Sequence, residues 1–129
     1  MLLLREILIT KEKEYLLDSI NIIVVPIFNV EGHERKSKYN RINQNGPEEM
    51  GWRTTAQNLN LNRDWIKTDA PEMKCLLMLI KHYKPDFIID THTTDGADYQ
   101  FTVTCSVEWS KNIYHQTGNW LKNKFIESN

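Results

Sequence analysis

The sequence is poor in the residues that usually mark a metal centre or a disulfide scaffold. Its 129 residues include two cysteines, Cys75 and Cys105, and four histidines. Two cysteines cannot form a disulfide framework, and neither belongs to a CxxC pair. Cys75 falls in an apolar helical stretch and is expected to be a buried small hydrophobe. The histidines, His33, His82, His92 and His115, form no HxxE or HExxH pattern. Charge of one sign is also lacking. Lys+Arg number 16 and Asp+Glu 17, for a net charge of -1. That balance gives no reason to expect nucleic acid or an anionic membrane as a partner. One basic cluster, Arg35-Lys36-Ser37-Lys38 with Arg41, is interrupted by Glu31 and Glu34 and reads as a solvated loop. No apolar run approaches the roughly 18 to 20 residues that span a bilayer. Met1-Leu2-Leu3-Leu4-Arg5 has no basic residue before its apolar part and no small-residue cleavage site, so it is not a signal peptide.

What is present reads as one α/β domain. Residues 2–19 suit a helix, with Leu3, Leu4, Ile7 and Leu8 on one face and an interruption at Thr10-Lys11. Residues 21–28, NIIVVPIF, are β-branched and continuous, as in a strand buried on both faces. Pro26 argues against the middle of a fully paired ladder. Residues 29–68 form a long irregular region, which in a small domain is usually functional or disordered. Its interspersed Trp52, Leu59, Leu61 and Trp65 argue for order. A helix starts near Pro71, with Asp69 as cap candidate and Met73, Leu76, Leu77 and Ile80 inward, and ends at Lys84-Pro85. Residues 86–90, DFIID, suit a second buried strand, residues 99–106 a third, and residues 109–126 a last helix. The expected fold is therefore a partial, open, mostly parallel or mixed sheet with flanking helices. Ligands of such sheets sit beyond the carboxyl ends of the strands, where residues 29–68 and His92 would meet.

Four residues there can carry chemistry. His92 follows an apolar run and can hold a metal. Asp90, two residues earlier, would share its side of an extended backbone and can accept its other ring N–H. A lone His is nevertheless more often structural, and catalytic zinc needs three protein ligands. Arg63 presents a fork that matches a carboxylate, and the neighbouring Asn62 amide adds a donor. A surface Arg in a polar loop is the plainer reading. In Asn58-Leu59-Asn60-Leu61-Asn62 the alternation sends the leucines inward, and strict alternation would part Asn62 from Arg63. For both to reach one ligand, the chain must turn near Asn62. Arg53 can stabilise a developing oxyanion, or it can pack on an aromatic ring as a cation–π contact.

From about Ile22 to Thr104 these motifs resemble, in order and approximate spacing, the zinc metallocarboxypeptidases of the carboxypeptidase A-like kind. Asn29-Val30-Glu31-Gly32 is similar to the family's Asn-Pro-Asp-Gly-like turn. Trp52-Arg53 is similar to its Trp-Arg pair, whose Arg polarises the scissile carbonyl. Asn62-Arg63-Asp64-Trp65 is similar to its Asn-Arg pair, which binds the substrate's terminal carboxylate. His92 in IIDTHTTDG is similar to its third zinc ligand. The resemblance implies Zn2+ as cofactor, with one of the three expected ligands present, and a peptide with a free C-terminal carboxylate as substrate. The family's first two ligands come from an upstream HxxE, which this chain lacks. Its general-base Glu lies well downstream of the His, and neither Glu108 nor Glu127 has a matching context.

Residues 1–129 are thus expected to be a single partial domain, an internal fragment of a zinc-dependent metallocarboxypeptidase that begins at a Met within a helix. Any targeting segment would precede Met1, which leaves the compartment open, although an extracytoplasmic parent enzyme suits the resemblance. The alternatives are a non-catalytic peptide- or carboxylate-binding module of the same fold, and a related zinc amidohydrolase. The expected outcome of a zinc-supplemented peptidase assay on the isolated 129 residues is no hydrolysis. Zinc-dependent release of a C-terminal residue would refute the fragment reading.

Overall fold

A computed structural model of the chain describes residues 1–93, 97, 99–101, 103–106 and 115–126. The chain divides into two compact units, Met1–Gly96 and Ala97–Asn129.

The first unit begins with helix α1, Leu2–Leu8, which buries Ile7 alone. Leu3 and Leu8 of the expected apolar face remain exposed. The helix is much shorter than expected, and the break falls where Thr10-Lys11 suggested. Lys11 has φ 63, a left-handed conformation that a helix cannot continue through. A short 3-10 stretch, Glu14–Asp18, follows. Lys13 Nζ lies 2.7 Å from Glu6 Oε2, clipping the two helical pieces together. Helix α2, Val30–Glu34, is short and capped by Asn29.

Helix α3, Pro71–Tyr83, is the main element. Pro71 at its start needs no hydrogen-bond partner and pre-sets the helical φ. Met73 is fully buried and packs with Leu61 and Ala70, against which Phe28, Leu59, Leu76 and Leu77 are partly buried. Full burial of a side chain like Met73 stabilises by about 1.5 to 3 kcal/mol. The expected inward face is the one that packs. Cys75 lies on the opposite side of the helix and is exposed, which corrects its expected burial. Lys84 adopts the left-handed conformation with φ 46, donates its amide to the Ile80 carbonyl at 2.8 Å, and hands over to Pro85.

The cap of α3 differs from expectation. The residue in the cap position is Ala70, and Asp69 makes no side-chain cap bond. Asp64 reaches forward instead. Its two carboxylate oxygens accept the amides of Asp69 at 3.0 Å and Ala70 at 2.8 Å. Its own carbonyl accepts the Thr68 amide at 2.8 Å. A buried anion thereby sits just ahead of the helix N-terminus, where the macrodipole favours it.

The expected sheet is not formed, and the α/β fold class is corrected accordingly. Among the described residues there are helices and coil only, and the sole β pairing is an isolated antiparallel bridge, Ser37 with Met50. Residues 21–28 and 86–90 lie outside any strand, as do the described residues within 99–106. A strand buried on both faces needs layers above and below it and a neighbour to take its backbone groups. Here Ile23, Val24, Val25 and Ile27 are 43–45% exposed and Ile89 is 75% exposed. The two apolar segments instead face α3 residues such as Leu76 and Ile80 across a cavity of about 360 Å³.

In the second unit, helix α4, His115–Trp120, runs into a π-helical turn, Leu121–Ile126. Leu121 is buried there and Gly118 lies within α4. The start of the helix expected over 109–126 lies outside the described residues.

Replacing Asp64 by Ala should lower stability by about 2 to 4 kcal/mol, because two helix-end amides lose a charged acceptor and one side chain leaves a buried site. Asp69→Ala should change it by less than about 0.5 kcal/mol. Denaturant midpoints of the two variants check this, and equal midpoints would contradict it.

Candidate functional site

The site is built on the long region 29–68, which is ordered by a few specific staples. Asn29 Oδ1 accepts the Gly32 amide at 2.9 Å and starts α2, while Asn29 Nδ2 donates to the Arg53 carbonyl at 3.3 Å. One side chain thus ties the turn after residues 21–28 to the backbone of a candidate catalytic residue. The Trp52 amide donates to the Gly32 carbonyl at 2.6 Å. At this crossing a Cβ on Gly51 would fall 2.6 Å from the Gly32 carbonyl oxygen, and one on Gly32 would fall 2.5 Å from the Trp52 carbonyl oxygen. Only glycine lets the two backbones approach so closely. Glu31 Oε2 accepts the Ala56 amide at 2.6 Å, further along the same wall.

Between the crossing and the Asn62-Arg63 pair, Thr55 closes a tight loop. Its amide donates to the Leu59 carbonyl at 3.0 Å and its carbonyl accepts the Asn58 amide at 3.0 Å. Asn58 occupies the left-handed region at φ 59, which Asn tolerates better than most residues. The chain then turns in a 3-10 helix, Leu61–Arg63. Asn60 caps it, its side chain accepting the Asn62 amide at 3.2 Å. This is the turn that the Leu–Asn alternation required near Asn62. Leu61 points into the core and is 5% exposed, and Asp64 is held in place by its bonds to the start of α3. Asn62 and Arg63 are left on the surface between two fixed points. Arg63 Nη1 donates to the Asn62 backbone carbonyl at 3.3 Å.

His92 approaches from the other apolar segment. Its Nε2 lies 2.9 Å from Asp90 Oδ2, with both side chains more than half exposed. A neutral imidazole that donates from Nε2 carries its lone pair on Nδ1, the form that can ligate a metal. This is the pairing that the two-residue spacing suggested.

Arg53, Asn62, Arg63 and His92 all line one cleft of about 760 Å³ within the first unit. The structure therefore brings together all four residues singled out from the sequence. It also adds two that the sequence did not single out. Lys36 and Arg41, assigned to a solvated basic loop, line the same cleft. Their segment is folded back by the Ser37–Met50 bridge and by Asn40 Nδ2, which donates to the carbonyls of Arg35 at 2.7 Å and Met50 at 2.9 Å. No local sequence signal announces that fold-back. A cation–π contact is made by Arg35, whose guanidinium carbon lies 5.8 Å from the centre of the Trp52 ring.

Chemically the cleft offers guanidinium and amide donors for a carboxylate, a further guanidinium, and the imidazoles of His33 and His92, the latter paired with Asp90. The donors among the described residues do not fit a catalytic zinc ion. Among the described residues there is no group of three His, Cys, Asp or Glu side chains that could hold a metal, whereas such a site takes three protein ligands.

Comparison with known families gives one finding: the family described as zinc carboxypeptidase matches residues 1–125. Neither curated proteins nor solved structures gave a match.

A methyl group at Gly51 tests the crossing that holds the Arg53 wall. Gly51→Ala should cost about 1 to 3 kcal/mol through forced separation of the backbones. It should also move the amide resonances of Trp52 and Arg53. An unchanged melting midpoint with unchanged resonances would show that the crossing is looser than described.

Proposed function

The chain belongs to the zinc carboxypeptidase family, and we propose that it supplies the substrate-anchoring wall of such a site. The supporting observation is that Asn62 and Arg63 share one anchored 3-10 turn and line one cleft with Arg53 and His92. In this reading Arg63 and Asn62 hold the terminal carboxylate of a peptide by charge-assisted hydrogen bonds. Fixing that carboxylate places the last peptide bond at a set distance along the cleft, which gives an exopeptidase register. Arg53 faces the carbonyl of that bond and donates to the oxyanion as it develops. His92, oriented by Asp90, offers Nδ1 as one metal donor. No step through a metal follows from these residues, because they supply one imidazole and not a complete ligand set.

The same observation favours a second reading for the 129 residues by themselves, that of a module which binds a carboxylate without cleaving the peptide. Both readings share the grip of Asn62 and Arg63. A zinc amidohydrolase acting on a small acylated amino acid would use the same grip and differ in substrate size.

Binding of labelled peptides tests the grip directly. A peptide with a free C-terminus should bind more tightly than its C-terminal amide. Arg63→Ala should weaken the free-acid peptide by about 1.5 to 3 kcal/mol, the range for hydrogen bonds to charged groups. Arg53→Ala should matter less for binding, because its partner carries charge only in the transition state. Equal affinity for acid and amide would overturn the assignment of Asn62 and Arg63.

A further inference from the structure

The segment from Ser37 to Met50 is closed by the two backbone hydrogen bonds of the Ser37–Met50 bridge, 3.0 and 3.2 Å long. Within it lies Asn45-Gly46, the one place in the sequence where glycine follows asparagine. Both residues are exposed and lie outside any helix or bridge. An asparagine carries an electrophile, its side-chain carbonyl carbon, close to the backbone nitrogen of the next residue. When that residue is glycine, no Cβ shields the nitrogen and the backbone reaches conformations closed to other residues.

Hydrogen bonding decides which asparagines are held back from reaction. Asn29 and Asn40 have their side-chain amides engaged by backbone groups, and Asn60 accepts the Asn62 amide. After Asn58 and Asn62 the attacking nitrogen itself is occupied. The Leu59 amide donates to Thr55 Oγ1 at 3.3 Å, and the Arg63 amide to the Asn60 carbonyl at 2.9 Å. Among the described residues, neither the Asn45 side chain nor the Gly46 amide makes a hydrogen bond.

We propose that Asn45 is a site of spontaneous intramolecular modification, converting through a cyclic imide to aspartate and isoaspartate. The Gly46 nitrogen gives up its proton to solvent and attacks the Asn45 side-chain carbonyl carbon. The new C–N bond closes the ring, the bond to the side-chain nitrogen breaks, and that nitrogen leaves as ammonia. One water then opens the imide. Cleavage at the side-chain carbonyl gives aspartate; cleavage at the Asn45 backbone carbonyl gives isoaspartate, whose main chain gains one carbon. Nothing is oxidised or reduced. Either product places a carboxylate, ionised at neutral pH, where a neutral amide stood. Gln44 and Pro47, on either side of the pair, line the cleft, so the change falls at its rim. The inference does not depend on which ligand the cleft takes.

The test incubates the whole chain, folded and in urea, at mildly acidic and mildly alkaline pH, and follows it by peptide mass mapping. The expected result is a gain of about 1 Da confined to the peptide that holds Asn45, with ammonia released. The rate should rise with pH, because the Gly46 nitrogen must lose its proton. It should differ little between the folded chain and urea, because the fold leaves Asn45 unprotected. Asn29, Asn40 and Asn60 should stay intact in the folded chain. Chromatography should resolve both aspartate and isoaspartate. Gly46→Ala should slow the reaction by roughly fivefold or more through lost backbone freedom. A Cβ at Gly46 would fall 2.5 Å from the Met50 methyl carbon, the end of a flexible side chain that can swing aside. Asn45→Gln, with its fold checked by circular dichroism, guards against a misfolded alanine variant and should abolish the mass gain at this peptide. An Asn45 that stays intact, or reacts much more slowly folded than in urea, overturns the proposal. Aspartate without isoaspartate also overturns it, in favour of direct hydrolysis.

Discussion

The hydrogen bond from the Trp52 amide to the Gly32 carbonyl, 2.6 Å long, is the contact on which the candidate site depends. It joins the turn that follows residues 21–28 to the segment that carries Arg53. Nothing larger than hydrogen fits at either Gly32 or Gly51 without pushing the two backbones apart. Asn29 strengthens the same junction by serving both sides, with one amide atom on Gly32 and the other on Arg53. The cleft wall is therefore set by backbone geometry, not by side-chain packing. Such a wall tolerates little change at the two glycines and much more at its exposed rim.

A second anchor works by burial. Leu61 enters the core beside Ala70 and Met73, and three residues later Asp64 grips the start of α3. The turn between them can expose Asn62 and Arg63 without becoming mobile, because both of its ends are tied to the longest helix. This connects the fold to the chemistry: one helix end positions the pair assigned to hold a carboxylate. The coupling also explains why a carboxylate deep in the structure belongs to the functional region although it touches no ligand.

The residues that meet in the candidate cleft were singled out in the sequence for reasons that differ by residue. The family was readable because Trp52-Arg53, Asn62-Arg63 and His92 occur in order, and the match over residues 1–125 agrees. The turn at Asn62 was readable because alternating Leu and Asn cannot otherwise put Asn62 and Arg63 on one side. Helix α3 was readable from Met73, Leu76, Leu77 and Ile80. The same periodicity would have placed Cys75 about 200° away from Met73 and hence outward, a step not taken. Strands were misread because β-branched runs favour extended backbone, whereas pairing depends on partners that local sequence does not specify. Among the described residues those partners are lacking, and the apolar segments stay half-exposed. The cap was misassigned to Asp69 because cap rules count only neighbours, while Asp64 reaches the helix end through a folded-back loop. Lys36 and Arg41 were hidden for a similar reason: a charge run looks alike whether it faces open water or a cleft.

The left-handed Lys84 followed by Pro85 has a consequence for how His92 is delivered. Proline fixes its own φ and narrows the choices of the residue before it. Lys84 instead sits in the left-handed region, away from the extended backbone that a following proline favours, so the path from α3 to His92 starts from a strained corner. That strain costs about 1 to 3 kcal/mol, which the contacts of the folded chain must offset. The segment that ends at His92 therefore leaves α3 through a bend whose conformational cost is set at Lys84, outside the residues that line the cleft.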